Sequence, residues 1–230
     1  MFDLLNNKNY ILEIQNPVES SNTDFPDSVY PIYNLAEWRL LSENSATTHD
    51  LLKYKENELI RLKKQSKNYF GTIVVSAAEA KLAANYADIL YIPGEICRQS
   101  DVLIACAQTS CALVIERGIF LAPPDIQRII EKTHSQVAIV DCGSANGYGD
   151  AVLDPRSLVT LKKLAVPFGI HLSDLLAPEG TTYSHRPQWL SNYEFVDSFV
   201  QTGKAFDTFF YVIKNYGKGA ISRNSLIEKL

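Results

Sequence analysis

Eight short apolar runs recur along the chain: YILEI (10–14), VYPIY (29–33), TIVVS (72–76), DILYI (88–92), ALVIE (112–116), VAIVD (137–141), VPFGIH (166–171) and TFFYVI (208–213). Several are unbroken rather than alternating, the pattern of strands covered on both faces in a parallel sheet. Segments with helical spacing lie between most of them. Asp50 to Lys67 sets Leu51, Leu52, Leu59, Ile60 and Leu62 among charged residues, Ala77 to Tyr86 is Ala-rich, and Pro123 to His134 opens on Pro and carries Ile126, Ile129 and Ile130. Strands alternating with crossover helices predict an α/β fold, a single (β/α)8 TIM barrel over residues 1–230, with an open doubly wound sheet as the alternative.

Two stretches break the alternation. Residues 15–28 (QNPVESSNTDFPDS) hold two prolines and many turn formers, so the first crossover helix is expected to be absent or vestigial. After the last run, Ala220 to Leu230 allow about two to three helical turns. With first and last helices shortened or missing, the outer ring thins where the chain ends meet, and an exposed apolar strip there would invite a partner subunit.

Composition narrows the function classes. The chain has 230 residues, 46% hydrophobic, with a formal charge of −4 and a pI near 5.6. That size suits one barrel core, and the weak negative charge argues against nucleic acid or an anionic membrane as partner. Met1 to Tyr10 lacks a basic stretch followed by an apolar one, so no secretory signal is read there, and no apolar run reaches membrane-spanning length. Cys97, Cys106, Cys111 and Cys142 lack CxxC spacing, and reduced, mostly buried thiols in a cytoplasm are expected.

Candidate chemistry gathers at strand ends, where barrel active sites lie. The segment 141–149 (DCGSANGYG), with Asp141, Cys142 and Asn146, follows a strand and reads as a tight turn or, alternatively, a phosphate cradle; it fits neither a dinucleotide fingerprint nor a Walker A loop. No neighbouring base in sequence supports Cys142 as a nucleophile. His49, His134, His171 and His185 form no metal-binding pair. His171, at the end of the seventh run, reads as a structural histidine or a catalytic one oriented by Asp174. Glu116 and Arg117 end the fifth run, either as charges at the mouth, where an Arg would suit a small phosphorylated or anionic ligand, or as an internal ion pair. Arg61, Lys63, Lys64 and Lys67, balanced by Glu56 and Glu58, read as a solvated helix face.

Three ordered motifs carry a resemblance. ADILYIPGEICRQSDVLIACAQT (87–109), ERGIFLAPPDI (116–126) and DCGSANGYGDAVLDPRSL (141–158) resemble the 3-deoxy-D-manno-octulosonate 8-phosphate synthase family, with its Ile-Pro strand end, Cys-Arg-Gln, Phe-Leu-Ala-Pro and Asp-x-Arg-Ser-Leu segments. Weaker similarity covers 10–20 and 206–223. The resemblance implies a (β/α) barrel, often tetrameric, that condenses phosphoenolpyruvate with arabinose 5-phosphate on the route to the inner sugar of lipopolysaccharide.

The same correspondence implies that the catalytic residues are replaced. Val18 stands beside Pro17 where metal-dependent members have Cys and metal-independent ones Asn. Tyr33 and Trp38 fall on lysines of the second-strand motif, and Leu40 and Leu41 on its Asn and Arg. Glu116 falls on the phosphoenolpyruvate-binding Lys, and Cys142 on the Arg of the Glu-Arg-Gly loop. Leu172 takes the metal-binding His position with His171 one residue off, a slip that turns a strand side chain to the other face. Val212 and Arg223 fall on the metal-binding Glu and Asp.

These replacements imply no cofactor or metal. The first expectation is a catalytically degenerate homologue acting through binding, with itself or a related synthase. The alternative is an enzyme with a reassigned pocket, in which Asp141, Cys142, His171, Asp174 and Arg223 converge at the mouth. An active synthase is the third reading.

Overall fold

The computed structural model describes residues 8–16, 25–35, 48–133, 137–146, 150–176, 194–215 and 221–230. All eight apolar runs become barrel strands: β1 (Tyr10–Gln15), β2 (Val29–Tyr33), β3 (Gly71–Ile73), β4 (Ile89–Ile92), β5 (Ala112–Arg117) and β6 (Val137–Asp141), then, after a short hairpin of β7 (Ser144–Asn146) and β8 (Asp150–Val152), β9 (Phe168–His171) and β10 (Phe210–Lys214). The eight pair in parallel and close as β1-β2-β3-β4-β5-β6-β9-β10 back to β1. Closure removes the open-sheet alternative. It occurs with direct pairing of β1 and β2, Ile11 opposite Val29 and Gln15 opposite Tyr33, so the segment between them needs no helix to close the ring.

Helices α1 (Thr48–Gln65), α2 (Ala77–Ala83), α3 (Ser100–Ala107), α4 (Ile126–Thr133) and α5 (Pro155–Lys163) fill the crossovers, followed by α6 (Leu172–Leu176), α7 (Glu194–Ala205) and α8 (Arg223–Ile227). The predicted helix 77–86 ends at Ala83, and Pro123 opens a 3-10 turn before α4. Lys55 of α1 is buried and donates to Ile73 O at 2.8 Å and Glu79 Oε2 at 3.0 Å, clamping α1 to β3 and α2. Between β1 and β2 the described residues 16 and 25–28 contain no helix, and the rest of that stretch lies outside the described residues. α8 is as short as expected. The hairpin departs from the tight turn expected over 141–149: Ser144, Ala145 and Asn146 pair antiparallel with Val152, Ala151 and Asp150.

Strand parity splits the core into two layers. Tyr10, Leu12, Ile32, Tyr91, Val114, Val140, Phe210 and Val212 pack inside the barrel, whereas Ile11, Leu90, Leu113, Ile139, Ile170 and Tyr211 face the helices. The inner layer is dense. Tyr10 stacks on Phe210 with ring centroids 5.0 Å apart, and a Cβ on Gly169 would meet that Phe210 ring at 2.4 Å, so only glycine fits there. Exposed large apolar side chains among the described residues are Tyr69, Ile104, Phe120, Val152 and Val159, none on β1, β2 or α8. No apolar strip therefore marks the junction of the chain ends within those residues.

Candidate active site at the barrel mouth

The same parity decides which strand-end side chains enter the mouth. On β5, Ala112 and Val114 point inward and Glu116 continues that face, while Arg117 follows Leu113 and Ile115 toward the helices. On β6, Ala138, Val140 and Cys142 face inward and Asp141 outward. On β9, Phe168 and Ile170 belong to the outer layer, as does Leu172 at the start of α6, so His171 turns into the barrel. The one-residue offset expected to turn His171 away is thus reversed: His171 takes the mouth-facing place and Leu172 packs beneath the helices.

Glu116 is fixed at both oxygens. Oε1 accepts from the Tyr91 hydroxyl at 2.6 Å and Oε2 from the Gly94 backbone N–H at 2.8 Å. Burial, and next the charge of Asp174, push its carboxyl up to about 7, against the lowering effects of Lys214, Tyr91 and Gly94. Asp174 Oδ1 is held by Lys214 Nζ at 2.6 Å. His171 is fully buried, and burial lowers its imidazole to about 4, so the ring is neutral near pH 7. Its Nδ1 accepts the Asp174 backbone N–H at 3.1 Å, capping the start of α6. Its Nε2 has no hydrogen-bond partner and lies 3.7 Å from both Glu116 Oε1 and Asp174 Oδ2. Cys142 shares this space, but burial, then Glu116 and Asp174, hold its thiol well above the ordinary value. A thiol kept protonated is a poor nucleophile.

Glu116, His171 and Asp174 offer three donor atoms within 4.8 Å of one another, a spacing a divalent ion could span. Their hydrogen bonding does not fit one. A ligating imidazole presents a lone pair to the metal and its N–H to a second-shell acceptor. Here the Asp174 N–H occupies the Nδ1 lone pair, so in the neutral ring the proton sits on Nε2, facing the cluster. Lys214 already neutralises Asp174. The metal implied for part of the family therefore finds no suitable donor set in this cluster.

The other candidates lie elsewhere. Arg117 and Asp141 are wholly buried between barrel and helices as an internal ion pair at 2.7 Å. Arg117 also donates to Leu121 O at 2.6 Å and Gly143 O at 2.8 Å, while Asp141 accepts from Gly143 N and the Ser157 hydroxyl. This network anchors the β5 and β6 loops and leaves neither charge for a ligand in the mouth. Arg223 sits on α8 against Glu13 of the outer layer, with its guanidinium over the Phe25 ring at 4.6 Å. The backbone of Asn146 is in β7, and its side chain lies outside the described residues, as do His134, His185, Val18, Trp38, Leu40 and Leu41. His49 is exposed on α1, Val212 points into the barrel, and Tyr33 faces the helices. Of the five residues expected to converge, Cys142, His171 and Asp174 do, while Asp141 and Arg223 do not. Tyr91 and Lys214 complete the cluster without having been singled out. The usable signal was parity: Lys214 lies one residue past the run 208–213, on the face of Phe210 and Val212.

The four cysteines are buried and free. Among the described residues no helix is long and apolar enough to cross a membrane.

Comparison with known proteins bears on the same region. The family model described as DAHP synthetase I family matches residues 52–164. Curated relatives named 2-dehydro-3-deoxyphosphooctonate aldolase include those of Fusobacterium nucleatum, 41% identical over 100 residues, covering 42% of this chain and 36% of the relative, and of Protochlamydia amoebophila, 34% identical over 118 residues, covering 48% and 43%. The relative from Bartonella tribocorum is 36% identical over 110 residues, covering 46% and 40%. The chain thus matches less than half the length of each of these three relatives. Its closed parallel barrel, its strand-end motifs and the match over 52–164 make the chain similar to the DAHP synthetase I family and, within it, to proteins named 2-dehydro-3-deoxyphosphooctonate aldolase.

Proposed function

We propose that this chain does not condense phosphoenolpyruvate with arabinose 5-phosphate, and instead serves as a binding member of its family. The observation that carries this reading is Glu116. It enters the mouth as an acidic side chain held by Tyr91 and Gly94, at the position where the resemblance calls for a phosphoenolpyruvate-binding lysine. Each charge-assisted hydrogen bond to a substrate phosphate or carboxylate contributes about 1.5–3 kcal/mol; replacing such a donor with a carboxyl group removes that contribution, and the ionised form reverses the sign of the interaction. Arg117, next in sequence, is paired with Asp141 behind the barrel wall, and the cation in the mouth, Lys214, is already engaged by Asp174.

The test is direct. Purified chain incubated with phosphoenolpyruvate and arabinose 5-phosphate should consume neither, and calorimetry should show no heat of phosphoenolpyruvate binding. Turnover above a no-protein control would overturn the proposal. A second copy of the chain or an active synthase is the proposed partner, checked by sedimentation and by co-purification.

A second reading, an enzyme with a reassigned pocket, draws support from the convergence of Glu116, Cys142, His171, Asp174 and Lys214 at the mouth. A carboxyl displaced toward 7 beside a neutral imidazole is an arrangement suited to general acid–base work.

A further inference from the structure

Away from the mouth cluster, a cleft of about 220 Å³ opens in the helix layer beside α4, lined by Arg98, Leu121, Asp125, Arg128, Ile129 and Lys132. Its floor is apolar, since Leu121 and Ile129 are buried in the core layer that faces the helices. Its walls are cationic. Arg128 and Lys132 stand four residues apart on α4 and so share a face, and Arg98 reaches the cleft from the segment that leads into α3.

The use of arginine across the described residues singles this cleft out. Arg61, Arg117, Arg156 and Arg223 each pair with a carboxylate, of Glu58, Asp141, Asp154 and Glu13. Arg98 and Arg128 have no hydrogen-bond or ion-pair partner among the described residues, and both line the same cleft. Lys132 Nζ donates to the neutral Ser100 hydroxyl at 2.8 Å, so its charge is also unanswered by an acid there. Glu131, next to it on α4, instead accepts from Gln127 Nε2 at 3.1 Å on the exposed side. Asp125 is the one carboxylate among the lining residues, which leaves the cleft a net charge of +2. Like charges one helical turn apart repel, and a third cation facing them adds to the cost; an anion between them reverses it.

We propose that this cleft binds a phosphate group, free or as the monoester of a small uncharged body, between Arg98, Arg128 and Lys132. Two guanidinium forks and an ammonium supply donors from three sides, as a phosphate with its several acceptor oxygens requires. The carbon body of an ester would rest on Leu121 and Ile129. Asp125 repels a second anionic group, so phosphoenolpyruvate, with its added carboxylate, is disfavoured. The inference is independent of how the mouth is read, because the cleft shares no residue with the mouth cluster.

The probes are inorganic phosphate and glycerol phosphate, titrated into the full chain at fixed ionic strength and followed through the backbone ¹⁵N amide resonances of residues 121–132. The expected result is a saturable displacement with an apparent Kd of about 1 mM or tighter. Arg98→Ala and Arg128→Ala should each weaken it about tenfold or more, and both replace exposed side chains, so the fold is retained. Asp125→Asn should tighten it, while Lys64→Ala, on the exposed face of α1, should leave it unchanged. Tighter binding of the ester assigns the cleft to monoesters, and equal binding assigns it to free phosphate. Amides unmoved by phosphate up to about 100 mM, a response matched by sodium chloride, or a Kd indifferent to Arg128→Ala overturns the inference. Phosphoenolpyruvate run alongside separates the two readings: its consumption defeats the proposed function, whereas silence from all three compounds defeats only this inference.

Discussion

The backbone N–H of Asp174 donates to His171 Nδ1 at 3.1 Å, and this one bond decides what the imidazole offers the barrel mouth. It caps the first turn of α6, fixes the ring plane and forces the neutral ring into the tautomer whose proton lies on Nε2. The cap thereby makes the mouth-facing nitrogen of the neutral ring a donor.

The tautomer is measurable without any ligand. In ¹⁵N spectra of the full chain, His171 is expected to show a protonated Nε2 and a bare Nδ1 at neutral pH, and to resist protonation until the pH approaches about 4, because burial disfavours the cation. Protonation of the His171 ring near the ordinary histidine value of about 6.5 would remove the basis for reading it as a buried neutral donor.

Much of the fold is legible in the apolar runs, since a strand covered on both faces must be apolar on both. Hence VAIVD and ALVIE announce themselves as barrel strands. The same property hides the site. In an unbroken run both faces look alike, so composition does not say that Glu116 faces the mouth while Arg117 faces the helices; that follows from the pairing register and from which neighbours pack where. The family motif sets Leu172 on the mouth-facing position, whereas the outward packing of Phe168, Ile170 and Leu172 puts His171 there. The Gly-rich segment 141–149 does not announce the hairpin of 144–146 with 150–152, because such a segment is equally compatible with a turn.

The Arg117–Asp141 pair should be among the costliest polar contacts to break. Asp141→Asn leaves a wholly buried guanidinium without its counter-charge, and breaking such a pair from one side costs about 3–5 kcal/mol. Lys162→Met, which removes an ion pair between half-exposed residues, should change stability by less than about 1 kcal/mol. Urea denaturation of the two variants compares them directly. Equal midpoints would mean that solvent reaches Arg117.

Gly169→Ala tests the packing of the barrel interior. The new methyl would overlap the Phe210 ring at 2.4 Å, and that ring cannot retreat because Tyr10 stacks on it at 5.0 Å. Overpacking of this kind costs about 1–3 kcal/mol, read as a lowered midpoint with an unchanged denaturant slope. A neutral substitution would show that the inner layer can repack around Phe210.

Glu116 and His171 should impose opposite pH dependences on stability. The Glu116 carboxyl, ordinarily near 4.5, is raised to about 7 in the folded chain, which therefore keeps a proton that the unfolded chain releases between those values. Its contribution is fully present below 4.5 and is lost as pH rises through about 7. His171, ordinarily near 6.5, is lowered to about 4, so the unfolded chain takes up a proton that the folded chain refuses. That contribution is present above 6.5 and is lost as pH falls through about 4. From about 4.5 to 6.5 the two slopes oppose each other, each limited to about 1.4 kcal/mol per pH unit. Glu116→Gln removes one of them. The variant should gain stability with rising pH across that window more steeply than the unaltered chain, and the difference between their urea midpoints should then level off above about 7. Parallel curves over the whole range would show that Glu116 titrates as an ordinary carboxylate and that the mouth is wetter than its burial indicates.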